Sequence, residues 1–136
     1  MIGNAVRGIL TNDAGVAALV STRIYPNYAP ETPTQPYVVY NLVDSESVMS
    51  LTGHSGLGRH TYQIDVFDDD YGDAHQVAEE IRLALQDFQG TQNSVDFQDV
   101  IAGPMSDDLS RFQDGSETPI CRVTRDYTFW FAEAAS

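Results

Sequence analysis

The segment Gly53-His54-Ser55-Gly56-Leu57 stands one residue away from the Gly-x-Ser-x-Gly elbow of serine hydrolases. That elbow needs a glycine where this chain has Leu57, and a strand that turns directly into a helix to lift the hydroxyl. Here the segment joins two predicted strands, so Ser55 reads as a loop tip and not as a nucleophile. Gly56-Leu57-Gly58 also fails the dinucleotide pattern, because Thr61 occupies the place of the third glycine and no helix follows. The acidic run Asp68-Asp69-Asp70-Tyr71-Gly72-Asp73 has the look of a calcium loop, with Glu79 at the twelfth position. A calcium loop needs glycine at the sixth position, where Asp73 stands. Acids gathered before a helix are explained by its dipole, which favours each by roughly 0.3–1 kcal/mol. His54, His60 and His75 fall on a loop, a strand and a helix without ligand spacing. His60 shares the apolar face of its strand and reads as a core histidine. Cys121 has no histidine or basic cluster near it in sequence to lower its thiol pKa and reads as core material. Asp107 and Asp108 are adjacent, and no pocket makes them an acid/base pair. The sequence offers no catalytic, cofactor or metal constellation.

The elements that hold these residues follow from periodicity. Ile2, Val6, Ile9 and Leu10 predict a short N-terminal helix, and Asp13 is placed to cap a second one running to Val20. Arg23-Ile24-Tyr25 reads as a brief strand, followed by an extended stretch carrying Pro26, Pro30, Pro33 and Pro36. Residues 37–43 are β-branched and aromatic, which predicts a central strand. Residues 59–68 alternate, with His60, Tyr62, Ile64 and Val66 on one face and Arg59, Thr61, Gln63 and Asp65 on the other. One face is therefore expected buried, the other wet or paired with something else. Residues 48–58 are too many for a tight turn and too rich in glycine for a helix, which predicts a projecting loop.

The clearest element is a helix over 74–88. Ala74, Val77, Ala78, Ile81, Ala84, Leu85 and Phe88 keep its apolar spacing, Asp70 caps it and Gly90 stops it. Residues 95–102 predict a weaker strand and 103–117 a polar loop. The last strand runs over 120–131, with Cys121, Val123, Tyr127, Phe129 and Phe131 on one face. Arg125 breaks that face, a position suited to an edge or an interface. The expected fold is α+β: a two-layer arrangement with a mostly antiparallel sheet, one long amphipathic helix covering it, and short N-terminal helices. With no internal repeat or low-complexity tract, residues 1–136 are expected to form a single domain.

Composition restricts the partners. Twenty acids face seven bases, a formal net charge of −13, and all seven bases are arginines scattered along the chain. No basic stripe exists to neutralise phosphates, which argues against affinity-driven binding of nucleic acid or of an anionic membrane surface. No apolar run approaches the roughly 18 residues of a membrane helix, and the first residues lack the pattern of a secretory signal. A single cysteine excludes an intramolecular disulfide and fits folding in a reducing cytoplasm.

Several segments in order resemble the tail-completion, or tail-terminator, family of long-tailed phages. They are Arg23-Ile24-Tyr25-Pro26, Pro36-Tyr37-Val38-Val39-Tyr40, and the glycine-bearing stretch from Gly53 to Gly58. Then come Tyr62-Gln63-Ile64-Asp65-Val66-Phe67, Tyr71 with the helix after it, and Arg122 through Asp126-Tyr127-Thr128-Phe129-Trp130. The likeness runs from about Leu10 to Phe131, and 95–118 have no counterpart in it. It implies a structural virion protein and not an enzyme, without cofactor, assembled in the host cytoplasm. It further implies a sixfold homo-oligomeric ring between the tail-tube protein and the neck proteins, at the head-proximal end of the tail. DNA would pass through that ring without specific binding. The predicted loop is then a partner interface, through Met49, Leu51, Gly53, His54, Gly56, Leu57 and Gly58. Asp44, Glu46, Asp107 and Asp108 become candidates for acids lining the channel. The competing expectation is a small acidic ligand-binding module or enzyme of similar layer architecture, which a deep apolar pocket would favour.

Overall fold

A computed structural model of the chain describes residues 2–30, 34–50, 53–111 and 119–132, with side chains at all of these except 46–50, 53–56, 108–111 and 119. The order of elements is α1 (Ile2–Asn12), α2 (Ala14–Val20), β1 (Ile24–Pro26), β2 (Tyr37–Ser50), β3 (Gly53–Asp68), α3 (Tyr71–Leu85), β4 (Gly90–Gln92), β5 (Val95–Arg111) and β6 (Pro119–Ala132). Six strands form one curled, mixed sheet in the order β1-β2-β3-β6-β5-β4. β1 runs parallel to β2; the other neighbours are antiparallel.

Asp13 and Asp70 do what their positions predict. Asp13 Oδ1 accepts from the Val16 N–H at 3.0 Å, and Asp70 Oδ1 accepts from the Asp73 N–H at 2.9 Å. Each satisfies a donor that the first turn of a helix leaves without an intrahelical partner. α3 buries Ala74, Val77, Ile81 and Leu85 against β3, β6 and β5, and α1 and α2 pack beside it. The core joins these side chains to Val6, Leu10, Ile64, Val66, Phe97, Val123, Tyr127 and Phe129. Aromatic rings meet edge to face at its centre, with Tyr62 and Phe97 each about 5.9 Å from Phe129.

Several expectations need correcting. The helix ends at Leu85, not Phe88. Gln86 leaves helical geometry, Asp87 takes a positive φ of 63°, and the Asp87 N–H donates to the Val100 carbonyl at 2.9 Å. Phe88 keeps its apolar role from the turn, packing edge to face on Phe97 at 5.9 Å. Gly90 does not stop the helix but opens β4 at φ 136°, a conformation only glycine adopts freely.

Residues 48–50 and 53–58 are not loop but the continuation of β2 and β3, which pair there and so satisfy each other's backbone groups. β5 likewise runs through 103–111 instead of ending at Ala102. Gly103 and Pro104 fall in the register shift between Ala102 and Met105, and a bulge tolerates a proline that gives the ladder no N–H. A Cβ on Gly103 would lie 3.0 Å from the Asp126 carbonyl oxygen, so the close approach of β6 explains the glycine.

Arg125 lies inside the sheet, not at its edge. It hydrogen-bonds Tyr127, whose hydroxyl burial pushes up to about 12, and its charge also reaches Glu79 on α3.

Leu85 is fully buried between α3 and the sheet. Leu85→Ala is expected to lower the unfolding free energy by about 2–5 kcal/mol. Chemical denaturation measures this directly, and a loss below about 0.5 kcal/mol, typical of featureless surface positions, would contradict the packing described.

Candidate functional site

The residues expected to contact a partner lie on an arm. β6 pairs with β3 from Asp68 back to Leu57, and β1 pairs with β2 only at Val38, Val39 and Tyr40. Past Leu57, β3 keeps β2 as its sole described neighbour, with Met49 opposite His54 and Ser50 opposite Gly53. A six-stranded base therefore narrows to two strands. Gly53, His54 and Gly56 lie in the two-stranded part, while Leu57 and Gly58 lie at its root, opposite Ala132 and Phe131 of β6. Leu51 lies outside the described residues. The glycines fit a ribbon that leaves room for an approaching surface.

At the root of the arm a ladder of side chains crosses three strands. The Arg59 guanidinium carbon sits 5.6 Å from the Trp130 ring centroid, and its Nη2 is 3.5 Å from Asp44 Oδ2. An ion pair this exposed contributes roughly 0–1 kcal/mol, so it orients the strands more than it stabilises them. Behind the arm, between the start of α1 and the β2–β3 pair, lies a cleft of about 410 Å3. Tyr40, Tyr62, His60 and Asn4 line it, and Leu42 stands at its rim.

The sheet face turned away from the helices is polar. Asp65 is buried there, its two oxygens 3.1 Å from Gln63 Nε2, and its Oδ1 accepts from Thr124 Oγ1 at 2.8 Å. Thr61 and Thr128 hydroxyls meet at 3.2 Å across the β3–β6 pair. This is the second, polar face that the alternation in 59–68 predicts, and its side chains are paired with one another and half-buried or buried instead of wet.

Among the described residues, one cluster with the look of an acid–base site joins α3 to β5. His75 Nε2 lies 2.9 Å from Asp107 Oδ2, Tyr71 Oη donates to the same oxygen at 3.0 Å, and the Tyr71 and His75 rings are 4.3 Å apart. The carboxylate beside the Tyr71 hydroxyl raises the phenol's pKa. Tyr71 and His75 are four apart on a helix, which puts them on one face. Asp107 lies 32 residues beyond His75, so only the fold supplies it. The cluster has the carboxylate and imidazole of a triad, and its third member is a phenol bonded to the carboxylate, not a nucleophile bonded to the imidazole. It serves as a tie between helix and strand.

Of the four acids expected in a channel, Asp44 is engaged by Arg59 and Asp107 by this tie. Glu46 and Asp108 stand opposite Arg59 and Arg122 in strand register, with side chains outside the described set. No group of metal-ligating residues occurs among the described residues. The acidic run before α3 spends Asp70 on the cap, and buried Asp68 accepts from the Asp70 N–H at 3.2 Å.

The fold is shared with two solved chains. A chain titled "Virion of native gene transfer agent (GTA) particle" superimposes with a TM-score of 0.70 at 20% identity, covering 95% of this chain and 92% of that one. A second solved chain, 12% identical, gives a TM-score of 0.56 over 98% and 97%. No curated protein sequence matches. The chain belongs to the tail completion protein gp17 family, which matches residues 4–106. It is therefore a structural protein of a phage tail, located in the virion. The family match takes in 95–106, which the sequence reading left without counterpart, and stops short of β6.

Burial raises the Asp68 pKa above its usual 3.8, with the neighbouring acids Asp69 and Asp73 adding to the effect. The folded state thus holds a proton that the unfolded state releases first, and stability falls as pH rises from about 3.8 through the raised value. Asp68→Asn keeps an acceptor for the Asp70 N–H and should flatten that fall, leaving the protein at least as stable at pH 7. Thermal melts across pH check this; an unchanged slope would show that Asp68 does not carry it.

Proposed function

We propose that this protein is the tail terminator: a ring of six copies that caps the head-proximal end of the tail tube, joins it to the neck and leaves a channel for DNA. Membership of the tail-completion family carries the reading, and the β2–β3 arm supports it. A two-stranded ribbon on a rigid sheet offers backbone and side chains to a partner, and binding residues commonly sit on such projections. Its partners are further copies of itself, the tail-tube protein and a neck protein. It works by contact and not by catalysis, consistent with the structural use of the His75–Asp107 pair. A single domain spanning the chain is sufficient for this role.

The charge gains a purpose in a ring. Each copy contributes a formal −13, and acids facing a channel would repel phosphates and let DNA pass without capture. Asp44, Glu46, Asp107 and Asp108 are the candidates for that wall. Arginine at lumen positions should create DNA affinity that falls steeply with salt, while equal replacements on the outer wall should do far less. Filter binding across a salt series measures it, and equal affinity from both sets would overturn the lumen assignment.

The arm is expected to dock on the last ring of the tube. Replacing 49–56 with an Asn-Gly turn joining Val48 to Leu57 keeps the base of the sheet and removes the tip. Such a variant should melt like the parent yet fail to complete tails in an in vitro joining assay. Normal joining by a folded variant would contradict arm docking. The 410 Å3 cleft supports one other reading, a small-ligand site, since its size falls within the range of such sites. Ligand-dependent stabilisation by a metabolite mixture, with no binding to tail tubes, would favour it.

A further inference from the structure

We propose that neighbouring copies in the ring meet edge to edge, with Val43 and Leu42 on β2 of one copy against Ile101 on β5 of the next; this rests on the ring reading above. The observation is a coincidence of level between the two sides of the sheet. Among the described residues, β1 covers β2 only as far as Tyr40, whose carbonyl also accepts from Asn27 N–H, so the β2 edge lies open from Asn41 upward. On the other side β4 covers 95–97, and Val100 is closed by Asp87 N–H on its carbonyl and by Asp99 on its own N–H. The β5 edge is therefore open from Ile101 downward. Register across the sheet puts these openings at one height. Leu42 pairs with Tyr62, Tyr62 with Tyr127, and Tyr127 with Ala102. Asp44 pairs with Thr61, Thr61 with Thr128, and Thr128 with Ile101.

A rotation axis carries each residue to the same height on the next copy. In the proposed arrangement the strands run roughly along the axis, and the open stretch 41–44 of one copy meets 101–104 of its neighbour. The directions also agree. Three antiparallel pairings separate β2 from β5, so the two strands run opposite ways within one copy and across the junction as well. Both windows carry exposed apolar side chains: Leu42 and Val43 are 46% and 47% exposed, and Ile101 is 52% exposed. Both also carry a bulge, at Val43 and at Gly103-Pro104. Bulges and proline keep an open edge from pairing with arbitrary strands, which leaves apolar side-chain contact as the specific element. The contact is heterologous, so it closes a ring instead of stopping at a dimer.

The test uses the full chain with Val43→Cys and Ile101→Cys. Under mild oxidation the double variant should give a ladder of covalent oligomers ending at the ring size. Equal mixtures of the two single variants should give dimers, and either single variant alone should give none. Separately, Ile101→Asp should raise the concentration needed for assembly, or for capping of purified tail tubes, roughly tenfold or more, with an unchanged melt. Rings visible by electron microscopy without cross-links, and undisturbed by Ile101→Asp, would overturn this contact while the ring reading stood. Protein that stays monomeric even on tail tubes would overturn both. Dimers from Val43→Cys alone would show a twofold contact and overturn the heterologous one.

Discussion

The antiparallel pairing of β3 with β6 is the constraint on which the rest of the molecule hangs. It runs from Leu57 opposite Ala132 to Asp68 opposite Cys121 in unbroken register. Because side chains alternate along both strands, one register assigns every residue to a face. Ile64, Val66, Val123, Tyr127 and Phe129 go beneath α3, and Thr61, Gln63, Asp65, Thr124 and Thr128 go to the opposite face. A slip by one residue would exchange the two sets. The flanking strands are less regular. β2 and β5 each carry two register shifts, one of each meeting at the level of Tyr62, and bulges increase local twist and bend. The sheet curls around a central pair that keeps its register throughout.

The arginines show how an acidic chain economises on positive charge. Arg7 donates to the carbonyls of Ile24 and Thr22, and Arg23 to those of Pro36 and Leu19. These bonds fasten α1, α2 and β1 to the proline-bearing stretch before β2. A forked guanidinium reaches two carbonyls at once, which the compact ammonium of lysine does less well. Arg59 steadies the arm and Arg125 sits beneath α3 beside Tyr127. The bases described are bound up in structure, which leaves the acids to set the field around the protein.

What the sequence made legible is what burial dictates. The apolar spacing of α3, the alternation in 59–68 and 120–131, and the caps at Asp13 and Asp70 all reflect contact with one core. The arm was read as a loop because pairing beyond the core leaves no apolar alternation to detect. The second half of β5 was hidden for a related reason. Gly103 and Pro104 signal a break by local rules, and an edge strand tolerates both. Phe88 kept the helical count while sitting on a turn, since only the Asp87 contact with Val100 shows where the helix ends. The tie between Tyr71, His75 and Asp107 needed the fold to bring β5 beside α3. The function was legible through the ordered resemblance of many short segments, from Arg23-Ile24-Tyr25-Pro26 to the end of β6. Neither charge nor composition alone pointed to it.

The most direct measurement is an electron cryomicroscopy reconstruction of tails completed by this protein. The expected map has six copies in a ring at one end of the tube, arms directed onto the last tube ring, and an open channel along the axis. A single copy at the tube end, or copies spread along its outer wall, would contradict the terminator reading.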